Sequence, residues 1–77
     1  MSEEFLLKLG AEVEKRYKLK FVSKLEFSFA CDVDEKTIRR LFKGEQNISI
    51  LLLKKICDAL EIKLSELIIS IEESENK

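Results

Sequence analysis

A run of eight residues, KTIRRLFK, carries four cations and no acid. The cations are Lys36, Arg39, Arg40 and Lys43. On a helix, at about 100° per residue, they fall within an arc of about 100°, and the apolar side chains of the run fall on the opposite side. We expect these cations to have no acidic partner at the i,i+4 spacing, so that they can donate hydrogen bonds to a polyanion. The alternative is an ordinary solvated helix face.

Such a face needs a helix held by a core, and the composition indicates an all-α chain. Of the 77 residues, 45% are apolar, and Pro is absent while Leu, Lys, Glu and Ile are abundant. This length allows one domain, which we assign to residues 1–73, with residues 74–77 as a frayed acidic tail. The net charge is −1, but residues 15–24 add five cations without an acid. The two basic segments can bind a polyanion locally despite the overall charge.

The second and third helices have the clearest boundary signals. Ser23 and Glu26 form a capping box, and Val22 and Phe27 would form a hydrophobic staple around it. The third helix covers residues 34–43, with an Asp as its N-cap and a Gly directly after its end. Two short helices joined by a tight turn, of which the second is basic and exposed, predict a helix-turn-helix arrangement. In that arrangement the second helix enters the DNA major groove.

Three further helices complete the predicted domain. The first covers about residues 2–17, with apolar side chains at helical spacing. The fourth starts at Asn47 or Ser49, both of which are good N-cap residues. The fifth covers about residues 64–70 and is also apolar along one side.

Residues 23–68 resemble the lambda-repressor/Cro-like helix-turn-helix family, also called the XRE family. The corresponding positions are Ser23, Phe27, Val33, Asp34, Thr37, Ile38, Gly44, Ala59, Leu60, Ile62, Glu66 and Leu67, with Phe27 in place of the family's Leu and Asp34 in place of its Ser. The spacing holds without a gap, and the LFKG run looks like the L-F-x-G variant of the family pattern. The resemblance implies a compact five-helix lambda-repressor-like domain in which helices 2 and 3 form the helix-turn-helix. Ser28 and Asp32 depart from the family's Ala and Gly. They would need a backbone partner and a left-handed backbone, respectively.

The resemblance also implies which residues contact DNA. Base contacts are implied for Glu35, Lys36, Thr37 and Arg40. Backbone contacts are implied for Ser23, Lys24, Arg39, Lys43, Gln46 and Asn47. The chemistry is consistent, because cations donate to guanine O6 and N7, a carboxylate accepts from cytosine N4, and the Thr methyl group can meet the thymine methyl group. Lysines add affinity with little sequence information.

Apolar residues are more numerous than the family pattern requires. In the fourth and fifth helices the surplus consists of Leu51, Leu52, Ile68, Ile69 and Ile71. Either the core is larger than is typical, or these helices present a patch that pairs two subunits, which is the interpretation we favour. A two-fold dimer would place two recognition helices about one DNA turn apart on a palindromic operator. Leu25 and Phe29, one turn apart on the second helix, either cover the first helix or meet a partner.

These features predict a sequence-specific regulator of transcription that binds double-stranded DNA. A free-standing repressor, a restriction-modification controller and an antitoxin remain open within this class. The alternative is a protein-protein interaction module of the same fold with weak or no DNA binding, which the net acidity and the apolar surplus favour.

The sequence lacks the residues that other classes of function require. The chain has no His, no glycine-rich phosphate loop and no metal-ligand spacing, so we expect no enzyme, metal, cofactor or small-molecule ligand. It also has no apolar run long enough for a membrane span and no secretory n-region, so we expect a cytoplasmic protein. The two cysteines are predicted to be core residues.

Overall fold

The computed structural model describes residues 3–45 and 48–75, which form five helices and no strand. The helices are α1 (Glu3–Lys20), α2 (Lys24–Cys31), α3 (Glu35–Phe42), α4 (Ile50–Leu60) and α5 (Leu64–Glu75). The all-α, five-helix fold predicted from the sequence is confirmed. Within the described ranges, no helix is both long enough and apolar enough to cross a membrane.

The capping box predicted at the start of α2 is present. The Ser23 hydroxyl oxygen accepts a hydrogen bond from the Glu26 N–H at 3.1 Å. The Glu26 carboxylate reaches back to the Val22 N–H at 3.2 Å, one residue before the cap. The hydrophobic staple is wrong: Phe27 is fully buried, but the Val22 side chain is 92% exposed. The box therefore sets the start of α2 through hydrogen bonds, without an apolar contact across it.

Helices α1 and α5 run longer at their ends than predicted, whereas α3 is one residue shorter at each end, with Asp34 and Lys43 as its caps. The predicted start of α1 at residue 2 lies outside the described residues. The Ser49 hydroxyl oxygen accepts from the Leu52 N–H at 3.1 Å, so Ser49, one of the two predicted N-cap residues, is the N-cap of α4. Helix α1 continues three residues beyond the predicted end at Tyr17. Helix α5 continues to Glu75, so the first two residues of the expected tail are helical, and residues 76–77 lie outside the described part.

Three aromatic rings at the centre of the fold join the first three helices. The ring of Tyr17 on α1 stacks on Phe27 of α2 and on Phe42 of α3, with centroids 5.3 and 5.2 Å apart. Around them lies one core of fully buried side chains. Its largest members are Leu9, Val13, Phe27, Ile38, Leu41, Leu53, Ile56, Leu67 and Ile71. Helix α1 packs against α3, α4 and α5, which makes it the element that α3 rests on.

Helix α1 touches the backbone of α3 at Gly10. A β-carbon at position 10 would overlap the Leu41 carbonyl oxygen and lie 2.9 Å from the Phe42 carbonyl oxygen. A Gly inside a helix normally costs about 1 kcal/mol relative to Ala. At this position the missing side chain allows the two helices to approach closely.

Both cysteines are free and buried, as the sequence predicts. Burial raises the pKa of the Cys31 thiol to about 12. Burial, followed by the nearby charge of Asp58, raises the pKa of the Cys57 thiol. Both thiols therefore stay protonated in the folded protein at pH values where exposed thiols ionise.

We expect the variant Gly10→Ala to lower the free energy of unfolding by about 1–3 kcal/mol, because the added methyl group meets backbone that has little room to move. The measurement is urea unfolding followed by circular dichroism. Ala11→Gly, at the exposed neighbouring position, is the control for helix propensity and should cost about 1 kcal/mol. Unchanged or increased stability of Gly10→Ala would contradict the close approach of α1 to α3.

We also expect the free energy of unfolding to decrease as the pH rises from about 9 towards 12. In this range the thiols of the unfolded chain ionise while the folded state keeps its protons, so the unfolded state is favoured. Urea unfolding at pH 7.5, 9 and 10 measures the effect. In Cys31→Ala, which lacks one of the two thiols, the decrease should be smaller. Equal decreases in both proteins would contradict the assignment to Cys31.

Candidate nucleic-acid interface

The turn between α2 and α3 is held by backbone hydrogen bonds. Asp32 adopts the left-handed conformation with φ 57°, and its N–H donates to the Phe29 carbonyl oxygen at 3.1 Å. The Val33 N–H donates to the Ser28 carbonyl oxygen at 3.0 Å. The buried Ser28 hydroxyl donates to the Leu25 carbonyl oxygen at 2.7 Å. Ser28, in place of the family's Ala, therefore has the backbone partner that it needs, and Asp32, in place of the family's Gly, adopts the expected left-handed backbone.

Helix α3 has one buried side and one cationic side. Ile38 and Leu41 are almost fully buried, and Phe42 joins the aromatic stack. All four cations of the opposite side are exposed, namely Lys36, Arg39, Arg40 and Lys43. Glu35 and Thr37 are half-buried at the edges of this side. We call the outward side, made of Glu35, Lys36, Thr37, Arg39, Arg40 and Lys43, the α3 surface.

The ends of α3 follow the predicted residues with one difference. Asp34 has the extended backbone of an N-cap, but its carboxylate makes no capping hydrogen bond. The expectation of a side-chain cap is wrong here, and the exposed carboxylate is left near the positive end of the helix dipole. At the other end Gly44 has φ +74°, a backbone conformation that glycine adopts at low cost. Gln46 and Asn47, predicted as backbone contacts, lie outside the described residues.

The expectation that the α3 cations lack an acidic partner is wrong for one of them. Arg39 Nη2 lies 3.3 Å from Glu35 Oε1, one helical turn earlier. Within residues 3–45 and 48–75, Lys36, Arg40 and Lys43 form no ion pair. The spacing of Glu35 and Arg39 in the sequence already allowed this pair, because the side chains at i and i+4 lie on the same helix face.

Lys24, at the first turn of α2, is positioned by the aromatic stack. Its ammonium nitrogen lies 5.9 Å from the centroid of the Phe42 ring, a cation–π distance. Phe42 belongs to α3, so this contact ties the cation of α2 to the helix that carries the α3 surface. The neighbouring Ser23 uses its oxygen as a cap acceptor and retains an O–H donor.

Most of the second basic segment, residues 15–24, is neutralised within the fold. Arg16 donates to Glu12 at 2.7 Å and to the Ser70 hydroxyl at 3.0 Å. Lys20 lies 2.9 Å from Glu61, and Lys18 lies 3.8 Å from Glu14. In the part of the chain that the structure describes, Lys15 and Lys24 are the members of this segment without an ion pair. The five cations therefore do not form a second free basic surface.

The residues predicted for a dimer interface separate into three groups by their exposure. Ile71 is only 1% exposed and belongs to the core, so its assignment to a surface patch is wrong. Leu51 and Ile69 are 76% and 53% exposed, whereas Leu52 and Ile68 are half-buried against the core. Helical spacing already places Ile71 on the same side of α5 as Leu64, Leu67 and Ile68, and Ile69 lies about 200° away around the helix axis.

Leu25 and Phe29 on α2 face solvent and do not pack against α1. Leu25 is 48% exposed and Phe29 is 75% exposed, so neither is covered by the first helix.

A left-handed turn between two short helices and a cationic side on the second helix define a helix-turn-helix domain. The helix-turn-helix family model matches residues 15–67. The chain therefore belongs to the helix-turn-helix family, and its resemblance to the XRE type is confirmed. This is a class of DNA-binding regulators of transcription. A comparison with curated protein sequences finds no match.

Solved structures of regulators share the fold. The chain is 26% identical to the restriction-modification controller protein C.AhdI from Aeromonas hydrophila, over 80% of this chain and 94% of that chain, with a TM-score of 0.76. It is also 26% identical to the clp gene regulator ClgR from Corynebacterium glutamicum, over 91% of both chains, with a TM-score of 0.80. A mutant of the controller protein C.Esp1396I superposes with a TM-score of 0.85 over 95% of this chain and 97% of that one. Its 18% identity shows the fold alone.

Proposed function

We propose that this chain is a sequence-specific regulator of transcription that acts in the cytoplasm and inserts residues 34–43 into the DNA major groove. The observation that carries the proposal is the α3 surface. Its four exposed cations lie on the side of α3 opposite Ile38 and Leu41, which are buried in the core. A helix anchored on one side and cationic on the other can enter the groove without exposing the core.

The positions of the side chains support a division of roles. Lys36, Thr37 and Arg40 lie on the outward side of α3 and reach base edges, as does Glu35 at its start. Lys24 and Ser23 at the start of α2 bind phosphates, as does Lys43 at the end of α3, and all three contribute to affinity more than to sequence preference. Gln46 and Asn47 would extend these backbone contacts into the following loop.

The relatives include a controller protein that this chain covers almost completely. C.AhdI, a restriction-modification controller, is covered over 94% of its length, so a protein of about this size can hold a regulatory role. We propose that the concentration of this chain and its pairing with a second copy set how much DNA is bound.

The proposed two-fold dimer uses the exposed apolar side chains of α4 and α5. Leu51 and Ile69 are more than half exposed, and Leu52 and Ile68 are half-buried against the core. Burying a large exposed aliphatic side chain contributes about 1.5–3 kcal/mol. A dimer built on this patch would present two α3 surfaces to a palindromic operator.

A second candidate function is a protein-protein interaction module of the same fold. Phe29, 75% exposed on α2, favours it, because an exposed aromatic side chain beside the exposed Leu25 suits a protein partner. The two functions differ in their response to salt. DNA binding through several phosphate contacts weakens steeply as salt rises, whereas apolar contacts between proteins do not weaken in this way.

Selection of bound sites from random DNA duplexes tests the proposed function. We expect an enriched palindromic site, and we expect Arg40→Ala and Lys36→Ala to change the preferred sequence, each at a cost of about 1–3 kcal/mol on the selected site. Lys24→Ala should weaken all sites similarly and reduce the salt slope by about 1. Lys15→Ala, a cation beside α5, is the matched control and should leave binding unchanged. A folded protein that enriches no site would favour the interaction module.

The dimer is tested by sedimentation at micromolar concentration. We expect the wild-type chain to sediment as a dimer and both Leu51→Glu and Ile69→Glu to sediment as monomers, because a charge buried in an apolar interface lacks a partner. Leu19→Glu, at a side chain that is 84% exposed on α1, is the control and should remain dimeric. A wild-type chain that is monomeric at this concentration would count against the dimer.

A further inference from the structure

One ion pair lies on the outward side of α3 within the described residues, and it joins the first residue of the helix to a cation one turn later. Arg39 Nη2 lies 3.3 Å from Glu35 Oε1. The Arg39 side chain is 60% exposed and the Glu35 side chain is 31% exposed. The pair is therefore accessible from the side that faces DNA in the proposed function, and Glu35 is the less exposed of its two side chains.

The pair changes what each side chain can contribute. Glu35 Oε1 accepts from Arg39, and within the described residues no hydrogen bond reaches Oε2, which stays available as an acceptor. An arginine that pairs with a neighbouring carboxylate is less free to swing towards a phosphate. Arg39 still has its remaining N–H groups as donors, since a guanidinium carries five.

Electrostatics explain why a carboxylate on this surface needs such a partner. A carboxylate in the major groove is repelled by the phosphates on both sides. The adjacent guanidinium offsets this repulsion, and the interaction strengthens when DNA excludes water from the pair. The other cations of the α3 surface form no ion pair within the part of the chain that the structure describes, so this pairing is particular to Arg39.

The chemistry of base edges indicates which base the pair selects. Cytosine offers the N4 amino group as a donor in the major groove, and a carboxylate accepts from it. Guanine and thymine place acceptors there, and adenine places the N7 acceptor beside its amino group, so each of these repels a carboxylate. Only cytosine presents a donor without an adjacent acceptor on the same base.

We propose that Glu35 and Arg39 act as one unit that selects a cytosine in each half-site. Glu35 accepts from the cytosine amino group, and Arg39 is the positioning residue that holds the carboxylate. This assignment rests on the proposed function, because it requires α3 to lie in the major groove. It also replaces the backbone contact that the sequence resemblance implied for Arg39.

Site selection with wild type, Glu35→Gln and Arg39→Ala tests the unit, with folding of each variant checked by circular dichroism. In Glu35→Gln, we expect the preference at one base pair of each half-site to change from cytosine to adenine, which a Gln amide reads through N6 and N7. In Arg39→Ala, we expect the cytosine preference at that same base pair to fall about tenfold while preferences at other positions remain.

Lys43→Ala removes an unpaired cation from the same surface and is the matched comparison. It should weaken all selected sites similarly and keep the cytosine preference. If Arg39→Ala behaves like Lys43→Ala, Arg39 is a phosphate contact and the inference is overturned while the proposed function stands. If the wild-type chain enriches no site, both the proposed function and the inference fail.

Discussion

The stacking of Tyr17 against Phe27 and Phe42 is the interaction on which the rest of the structure depends. Each ring belongs to a different helix, and aromatic pairs of this kind contribute about 0.5–1.5 kcal/mol beyond the area that they bury. Through Phe42 the stack holds the buried side of α3 against α1, and through Phe27 it holds α2. The same Phe42 ring lies under the ammonium group of Lys24, so it makes a cation–π contact with α2 while its stacking anchors α3.

Local neutralisation determines which cations remain available for a polyanion. The segment at residues 15–24 looks as basic as α3 in the sequence, yet Arg16 and Lys20 are paired with acids of the fold. On α3 three of the four cations have no ion pair within the described residues. The net charge of −1 therefore does not indicate how many cations are available on the α3 surface, because many acids neutralise cations elsewhere in the fold.

Two groups of exposed apolar side chains bear on the proposed contacts, although Ile50 on α4 and Leu19 on α1 are exposed as well. The first group is Leu51 and Ile69 on α4 and α5, and the second is Leu25 and Phe29 on α2. The first group supports pairing with a second copy, and the second favours contact with another protein. Both groups of apolar side chains stay accessible with α3 in the DNA groove if DNA contacts only α3 and the start of α2.

The sequence alone determined the helices and the character of α3, because the signals concerned act over a few residues. A capping hydroxyl, a Gly in the left-handed conformation and a cationic arc each depend on backbone hydrogen bonds or on the helical repeat. The Glu35–Arg39 pair was equally readable at i,i+4. Tertiary structure alone decided that Gly10 meets the backbone of α3 and that Val22 is exposed next to its capping box. It also paired Arg16 with Ser70, 54 residues away. These outcomes depend on how helices distant in sequence pack, and packing directions are not encoded in any single helical repeat.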